Sequence, residues 1–197
     1  MSNKSLKIKN MSKKIKLTIK GVNYELPKSA VVLKGSSQWE DETYIQMRAK
    51  YCSSIIKQYV KKNFPLLNVW ATSSVYSGGS SCDIYVSKQD GSSVDKDIYE
   101  QIENFSQLFK GGSFNGMEDI YEYRNDNPTT DNGTPMKYFP SYVFIDNKPK
   151  WGTVEYWLNE WDENKKYFKD LSDFLSSNKT YMTDKEFANV KQNLTII

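Results

Sequence analysis

The chain has 197 residues and a formal net charge of +3, and 38% of its residues are hydrophobic and 26% are charged. This length and composition are typical of a single domain with a hydrophobic core. Histidine is absent, which removes the commonest general base, the usual partner of a serine or cysteine nucleophile and the commonest metal ligand. Only two cysteines occur, excluding a disulfide framework and a paired-cysteine zinc site, so we expect a non-enzymatic chain without cofactor or metal.

The first 20 residues form a basic segment with seven lysines and no acidic residue. Such a segment attracts RNA or an acidic protein surface, although many lysine-rich ends are simply solvated. Residues 14–20 alternate apolar and polar side chains, and Lys20 and Gly21 can turn the chain back into residues 22–26. We therefore predict a basic tail and a short hairpin within residues 1–40. The candidate binding lysines are Lys4, Lys7, Lys9, Lys13, Lys14, Lys16 and Lys20.

A helix and a hairpin follow this basic segment. Apolar residues recur with helical spacing from about residue 41 to residue 63, and Pro65 lies just beyond the end. Residues 68–76 and 81–87 alternate as strands do, and the serine and glycine residues between them are typical of a turn. A phosphate-binding loop would lead from a strand into a helix, so we favour the turn.

A second helix and two further strands complete the predicted core. Ile98, Ile102 and Phe105 fall on one face of a helix near residues 94–110, which Gly111 and Gly112 would cap. The segments 119–124 and 142–146 have the pattern of strands. We predict an α+β fold in which an antiparallel sheet, a ββαββ unit, is covered by two helices within a core domain of residues 41–150.

The acidic residues of this core do not form a catalytic pair. Strand alternation puts Asp119 on one face and Glu122 with Arg124 on the other. One carboxylate per face is neither a catalytic dyad nor a metal site, so we favour salt bridges.

Residues 151–197 form a predicted helical extension. Trp151, Trp157 and Trp161 fall at helical spacing, and Thr183 and Glu186 have the spacing of a capping box. Tryptophans in this pattern are either core residues or anchors for a protein partner. We retain all three as candidate anchors.

Tyrosines on the predicted strands suggest another candidate surface. Five tyrosines beside basic residues such as Arg124 could stack on bases as in proteins that bind single-stranded nucleic acid, namely Tyr85, Tyr121, Tyr123, Tyr138 and Tyr142. Ordinary strand aromatics with one solvated end are the alternative. We retain Tyr85, Tyr121, Tyr123 and Arg124 as candidates for binding nucleic acid or a partner.

Three stretches carry a resemblance to a known family. They are the hairpin 73–86 (SSVYSGGSSCDIYV), the block 109–124 (FKGGSFNGMEDIYEYR) and the strand 142–145 (YVFI). Together they resemble one of the large polyvalent protein associated domains over residues 69–147. The resemblance implies an origin in the polyproteins of bacteriophages and conjugative elements, and it transfers no catalytic residue to this chain.

The resemblance also implies a counter-defence role, because polyvalent proteins are delivered with invading DNA to blunt host defences. This chain is short and lacks the neighbouring enzymatic domains, and in this it resembles phage inhibitors of the anti-CRISPR type. It has neither an apolar run of about 18 residues nor a secretory leader, so we expect no membrane contact.

The predicted function is therefore a stoichiometric inhibitor in the cytoplasm of the bacterial host cell. Its expected partner is a bacterial defence nuclease such as a CRISPR effector, or a ribonucleoprotein reached through its guide RNA. A nucleic-acid-binding accessory protein of a mobile element is the alternative, and a carboxylate-dependent enzyme is a more distant one.

Overall fold

A computed structural model describes residues 14–38, 41–115, 117–118, 120–126 and 128–194. The described residues form ten β-strands and five α-helices. The strands are β1 (Lys14–Ile19), β2 (Val22–Pro27), β3 (Val31–Val32), β4 (Tyr44–Gln46), β5 (Asn68–Tyr76), β6 (Gly79–Ser87), β7 (Gly112–Asn115), β8 (Ile120–Tyr123), β9 (Met136–Lys137) and β10 (Tyr142–Asp146). The helices are α1 (Ala49–Asn63), α2 (Lys96–Ser106), α3 (Val154–Asn164), α4 (Leu171–Asn178) and α5 (Asp184–Leu194). The predicted α+β class is confirmed.

The central sheet contains three strands in the order β10-β6-β5. Strands β5 and β6 form the predicted antiparallel hairpin, in which Tyr76 pairs with Gly79 across the turn. Alternate residues of β6 (Cys82, Ile84 and Val86) are fully buried in one hydrophobic cluster with residues of α1 and α2. The two helices therefore cover one face of the sheet, as predicted, and the residues between the buried ones point to the other face.

The third strand of this sheet corrects the predicted topology. Strand β10 runs parallel to β6, pairing Tyr142 with Ser81, so the sheet is mixed rather than antiparallel. The connection from β6 to β10 contains α2, and a crossover of this kind returns the chain to the sheet in its original direction.

The predicted ββαββ unit is also wrong at residues 120–123, while Asp119 lies outside the described residues. Strand β8 lies outside the central sheet and pairs with β7 in a separate two-stranded sheet. A Cβ atom at Gly112 would overlap the carbonyl oxygen of Glu122, and one at Gly111 would lie 2.7 Å from the carbonyl oxygen of Pro140. Gly112 therefore permits close approach of β7 to β8, and Gly111 permits close approach to the segment before β10, instead of capping a helix.

Helix α1 is shorter than its sequence pattern suggests. It begins at Ala49, whereas Tyr44–Gln46 form strand β4, which pairs with β3 and runs parallel to β9. Tyr44 and Ile45 are both buried, so their apolar character reflects a strand in the core and not a helical face.

The predicted N-terminal hairpin is present as β1 and β2. Lys20 and Gly21 both have positive φ, the geometry of the tight turns that join such strands. The two carboxylate oxygens of Asp131 accept hydrogen bonds from the backbone amides of Lys20 at 2.9 Å and Gly21 at 2.7 Å. The hairpin side chains Leu17, Ile19, Tyr24 and Leu26 are buried in the same cluster as α1.

The C-terminal third is helical, as predicted, and has its own hydrophobic cluster around Trp157, Phe174, Leu175 and Val190. The capping box is confirmed, because Glu186 accepts a hydrogen bond from the Thr183 amide at 2.8 Å. None of the helices in the described part of the chain is long and apolar enough to cross a bilayer. The division into residues 1–40, 41–150 and 151–197 stays a prediction.

Candidate functional site

Four aromatic rings form a continuous row across the two neighbouring sheets. We call Tyr123, Tyr121, Tyr142 and Phe144 the aromatic row. The ring centroids of Tyr123 and Tyr121 are 4.9 Å apart, those of Tyr121 and Tyr142 are 5.5 Å apart, and those of Tyr142 and Phe144 are 5.8 Å apart. Because β8 and β10 each contribute two residues spaced by two, every ring lies on one side of its strand.

The row is both exposed and held in place. Tyr123 is 73% exposed and Phe144 is 50% exposed, while the two inner rings are half-buried. The hydroxyl of Tyr121 donates a hydrogen bond to the carbonyl oxygen of Ser141. Burial, reinforced by neighbouring tyrosines, raises the pKa of Tyr121, so this hydroxyl remains a donor. The outer rings therefore stand on a fixed base with their faces open to a partner.

Tyr85 lies apart from this row. It is on β6, where its register partners are Trp70 on β5 and Asp146 on β10. Burial, then Asp146 and Asp83, raises the pKa of its hydroxyl. Of the five predicted tyrosines, the structure brings Tyr121, Tyr123 and Tyr142 together and leaves Tyr85 on a different part of the sheet face. The ring centroid of Tyr138 lies 5.6 Å from that of Tyr44 and outside the row.

Arg124 is engaged within its own chain. Its guanidinium donates to the carbonyl oxygens of Leu108 at 2.8 Å and Lys110 at 3.1 Å, and forms a two-point contact with Asp126 at 2.8 and 3.0 Å. It also lies 4.6 Å from the ring centroid of Phe139. The hydrogen bonds from Arg124 hold the pKa of Asp126 below its usual range. This geometry fastens the end of β8 to the segment that follows α2.

The candidate lysines of the N-terminal segment are only partly described. Lys4, Lys7, Lys9 and Lys13 lie outside the described residues. Lys14 forms a 3.0 Å salt bridge with Glu25, because the hairpin brings an acidic residue of β2 beside β1. Lys16 lies opposite Glu25 in the register, and Lys20 occupies the turn. The fold therefore supplies the acid that the sequence of this segment lacks.

The three candidate tryptophans have different environments. Trp157 is only 3% exposed and belongs to the C-terminal hydrophobic cluster, whereas Trp151 is 57% exposed with its ring near Tyr156. Trp161 is half-buried and lines a cleft of about 550 Å³ between the turn after β6 and helices α3 and α4. The lining residues are Asp90, Ser92, Leu158, Asn159, Trp161, Asp162, Lys165 and Leu171.

Polar groups in this cleft are mostly satisfied locally. Lys165 pairs with Asp162 at 2.7 Å, and Asp90 accepts hydrogen bonds from the amide and hydroxyl of Ser92. The cleft wall is otherwise apolar, formed by Leu158, Trp161 and Leu171. This arrangement is typical of a packing seam and supplies no pair of groups poised for proton transfer.

An exposed tryptophan on β5 is absent from the sequence-based candidates. Trp70 lies between the core residues Val69 and Ala71 and is 46% exposed on the opposite face. The Nζ atoms of Lys57 and Lys150 lie 5.8 and 5.2 Å from its ring centroid. The alternation of β5 could have identified Trp70 as outward-facing, but the two lysines come from distant segments that only the fold brings together.

The described residues contain no cluster of side chains that could bind a metal ion. Within this part of the chain, no three His, Cys, Asp or Glu side chains are grouped as metal ligands would be. Cys52 and Cys82 are fully buried, and their thiols donate to the carbonyl oxygens of Met47 and Ala49. Burial raises the pKa of Cys52, which keeps that thiol protonated.

Aromatic side chains are enriched at the centres of protein interfaces. The family model of large polyvalent protein associated domain 29 matches residues 47–149, just over half of the chain, and the chain belongs to this family. The expected resemblance is therefore confirmed, and with it the association with polyproteins of phages and mobile elements. No curated protein and no solved structure matches the chain. Both the aromatic row and Trp70 lie within the matched span.

Proposed function

We propose that this chain is a non-catalytic counter-defence protein of a phage or mobile element. It acts in the cytoplasm of the bacterial host by occupying a surface of an immune nuclease, such as a CRISPR effector, or of the guide RNA that the nuclease carries. The observation that carries this proposal is the aromatic row, an exposed and prearranged surface within a domain family associated with such elements.

The aromatic row suits a protein partner for physical reasons. Tyrosine and other aromatic side chains supply much of the energy in protein interfaces, because they bury a large area for little loss of conformational freedom. Here the hydrogen bond of Tyr121 and the contacts between rings have already restricted the rings before binding. The row therefore favours tight one-to-one occupation of a surface.

The described acidic residues near the candidate surfaces support a non-catalytic role. Asp126 is paired with Arg124, Asp131 holds the backbone of the N-terminal turn, and Asp90 accepts from Ser92. These three carboxylates each stabilise local structure. Purified protein should accordingly show no nuclease, protease or nucleotidase turnover with added Mg²⁺, Mn²⁺ or Zn²⁺.

A nuclease inhibition assay tests the proposal. Candidate CRISPR effectors are titrated with the wild-type protein, and we expect target cleavage to stop near a one-to-one ratio for the true partner. Tyr123→Ala and Phe144→Ala should each weaken inhibition, since truncating an interface aromatic costs about 2 kcal/mol or more at a binding hot spot. Tyr167→Ala is the matched control, because Tyr167 is 71% exposed but lies among the C-terminal helices.

Three results would contradict the proposal. One is unchanged inhibition by both row variants, which would move the binding surface elsewhere. Another is equal loss in the Tyr167→Ala control, which would indicate a general effect of removing an exposed ring. The third is salt-sensitive binding to nucleic acid with no inhibition of any nuclease, which would favour an accessory role in the mobile element.

A further inference from the structure

Trp70 presents an indole ring to solvent from a rigid strand. Its neighbours Val69 and Ala71 belong to the hydrophobic core, so the backbone of β5 is fixed on both sides of it. Across the antiparallel ladder, Trp70 pairs with Tyr85, whose ring lies on the same face of the sheet. The backbone that carries the indole is therefore fixed within the sheet.

Two lysines approach this ring from different parts of the chain. Lys57 belongs to α1, and Lys150 lies in the segment between β10 and α3, yet both amines lie within 6 Å of the ring, at 5.8 and 5.2 Å. Neither amine forms a salt bridge with any residue that the structure describes. Burial, together with the neighbouring charge of Lys61, lowers the pKa of Lys57. The positive charge near the indole therefore has no salt-bridge partner among the described residues, and a bound anion would be attracted to it.

We propose that Trp70, Lys57 and Lys150 form a binding site for single-stranded nucleic acid. In the free protein both amines lie over the indole ring. A base stacks on the indole by displacing an amine from the ring, and the two amines then contact the phosphates on either side of that base. Stacking on an aromatic ring combined with lysine contacts to the backbone is the general mode by which proteins bind single strands without sequence preference.

The same chemistry disfavours a duplex. A base can lie on the indole only if its own face is free, and in a duplex that face is covered by the neighbouring base pairs. Acidic residues also limit the site on one side, since Asp83 and Asp146 both lie close enough to Tyr85 to raise its pKa. The strand is therefore expected to pass along β5 and away from β10.

This inference goes beyond the proposed function, because the site is distinct from the aromatic row and can be tested without any nuclease. Trp70 shares the outward face of the central sheet with Tyr142 and Phe144, because Trp70, Tyr85 and Asp146 are register partners across β5, β6 and β10. If both proposals hold, this one face contacts a protein at β10 and the single-stranded part of a guide RNA at β5. Failure of one does not decide the other, since the row variants and the Trp70 variants are assayed against different ligands.

The test is fluorescence anisotropy with labelled oligouridine, oligothymidine and a duplex of matched length. Trp70→Ala should weaken binding of the single strands roughly 5- to 150-fold, the loss of one stacked base. Lys57→Gln combined with Lys150→Gln should lower the log-log salt slope by about 0.7 for each phosphate that is no longer neutralised, up to about 1.4 in total. Trp70→Phe should retain more affinity than Trp70→Ala because a ring remains. Oligouridine and oligothymidine should bind alike, since the site reads stacking and phosphate and not the sugar.

Tyr167 and Lys166 provide a matched control, because the Lys166 amine lies 4.8 Å from the exposed Tyr167 ring on another part of the molecule. Tyr167→Ala and Lys166→Gln should leave the affinity unchanged. Circular dichroism should show that the lysine variants keep the wild-type fold, so the salt slope decides the test even if Trp70→Ala unfolds. The proposal is overturned if wild-type protein binds no single strand, if the duplex binds equally well, or if the lysine variants keep the wild-type slope.

Discussion

The ring of Tyr59 lies flat against the ring of Phe105, with 3.8 Å between their centroids and 7° between their planes. This stack joins α1 to α2. Phe105 also contacts Tyr24 of the N-terminal hairpin at 5.8 Å and Phe109 at 5.3 Å. One buried ring therefore connects the hairpin, both covering helices and the turn that follows α2.

Replacing this ring should be costly. We expect Phe105→Ala to lower the free energy of unfolding by about 3–5 kcal/mol, because it removes a large buried side chain and leaves a cavity. Phe144→Ala is the control, since half of that side chain is already exposed, and its effect should stay below about 1 kcal/mol. Urea unfolding measures both values. Equal losses in the two variants would show that the stack is not central to stability.

The hydroxyl of Tyr24 predicts a stabilising substitution. This side chain is fully buried, and its oxygen has no hydrogen-bond partner among the described residues. A buried unpaired hydroxyl costs about 1–3 kcal/mol, so Tyr24→Phe should keep or raise stability at neutral pH. Thermal unfolding at pH 7 checks this. A marked loss of stability in Tyr24→Phe would indicate that the hydroxyl has a partner after all.

Alkaline pH gives an independent check on the same residue. Burial, with a smaller effect of Tyr59, raises the pKa of Tyr24 from 10.0 to about 12. The folded state therefore holds this proton when the unfolded state has released it, so the contribution of Tyr24 to stability is constant below pH 10 and falls between pH 10 and about 12. Tyr24→Phe should remove its share of that fall, up to about 1.4 kcal/mol per pH unit. Parallel curves for wild type and Tyr24→Phe would count against this.

Arg124 should matter more for stability than its position beside the tyrosines suggests. Its planar guanidinium donates hydrogen bonds to two backbone carbonyl oxygens and to the Asp126 carboxylate at the same time, and a lysine ammonium cannot reproduce this geometry. We expect Arg124→Lys to cost about 1–3 kcal/mol in urea unfolding. Lys96→Gln, which removes an exposed helical ion pair with Glu100, should change stability by less than about 0.5 kcal/mol. If Arg124→Lys is neutral, the hydrogen bonds of the guanidinium contribute little.

Gly112 should be essential for the small sheet that carries half of the aromatic row. A side chain there meets the backbone of Glu122, so Gly112→Ala should separate β7 from β8. The expected sign is faster amide hydrogen exchange at Arg124, whose amide donates to the carbonyl oxygen of Gly111 at 2.9 Å, together with weaker nuclease inhibition. Ser113→Ala, at the next and exposed position, should change neither. Unaltered exchange in Gly112→Ala would mean that β7 and β8 accommodate the added methyl group and stay paired.

Local patterns predicted the elements of this fold well, and contacts between distant segments less well. The β5–β6 hairpin and the Thr183 capping box depend on residues close in sequence, and both are present. The parallel direction of β10 depends on the path of the connection, which alternation does not encode.

The candidate surfaces were likewise predictable where they depend on residues close in sequence, and were missed where they depend on distant segments. Tyr121 and Tyr123 were predictable from strand alternation alone, whereas the lysines beside Trp70 lie 13 and 80 residues away from it along the chain. The sequence suggested that Arg124 was free to bind nucleic acid or a partner, because the backbone carbonyl oxygens that it bonds are 14 and 16 residues away along the chain. Charge in a sequence does not show whether a side chain is already occupied.

The two hydrogen bonds between Asp131 and the N-terminal turn affect where a stable fragment of this protein can begin. Asp131 lies inside the family match, but the amides that it holds are 110 and 111 residues earlier, outside that match. A fragment of residues 47–149 would leave this carboxylate without its partners and uncover the core beneath the hairpin. We therefore expect the cooperative unit of unfolding to extend beyond residues 47–149, the span that matches the family model, and to begin at β1.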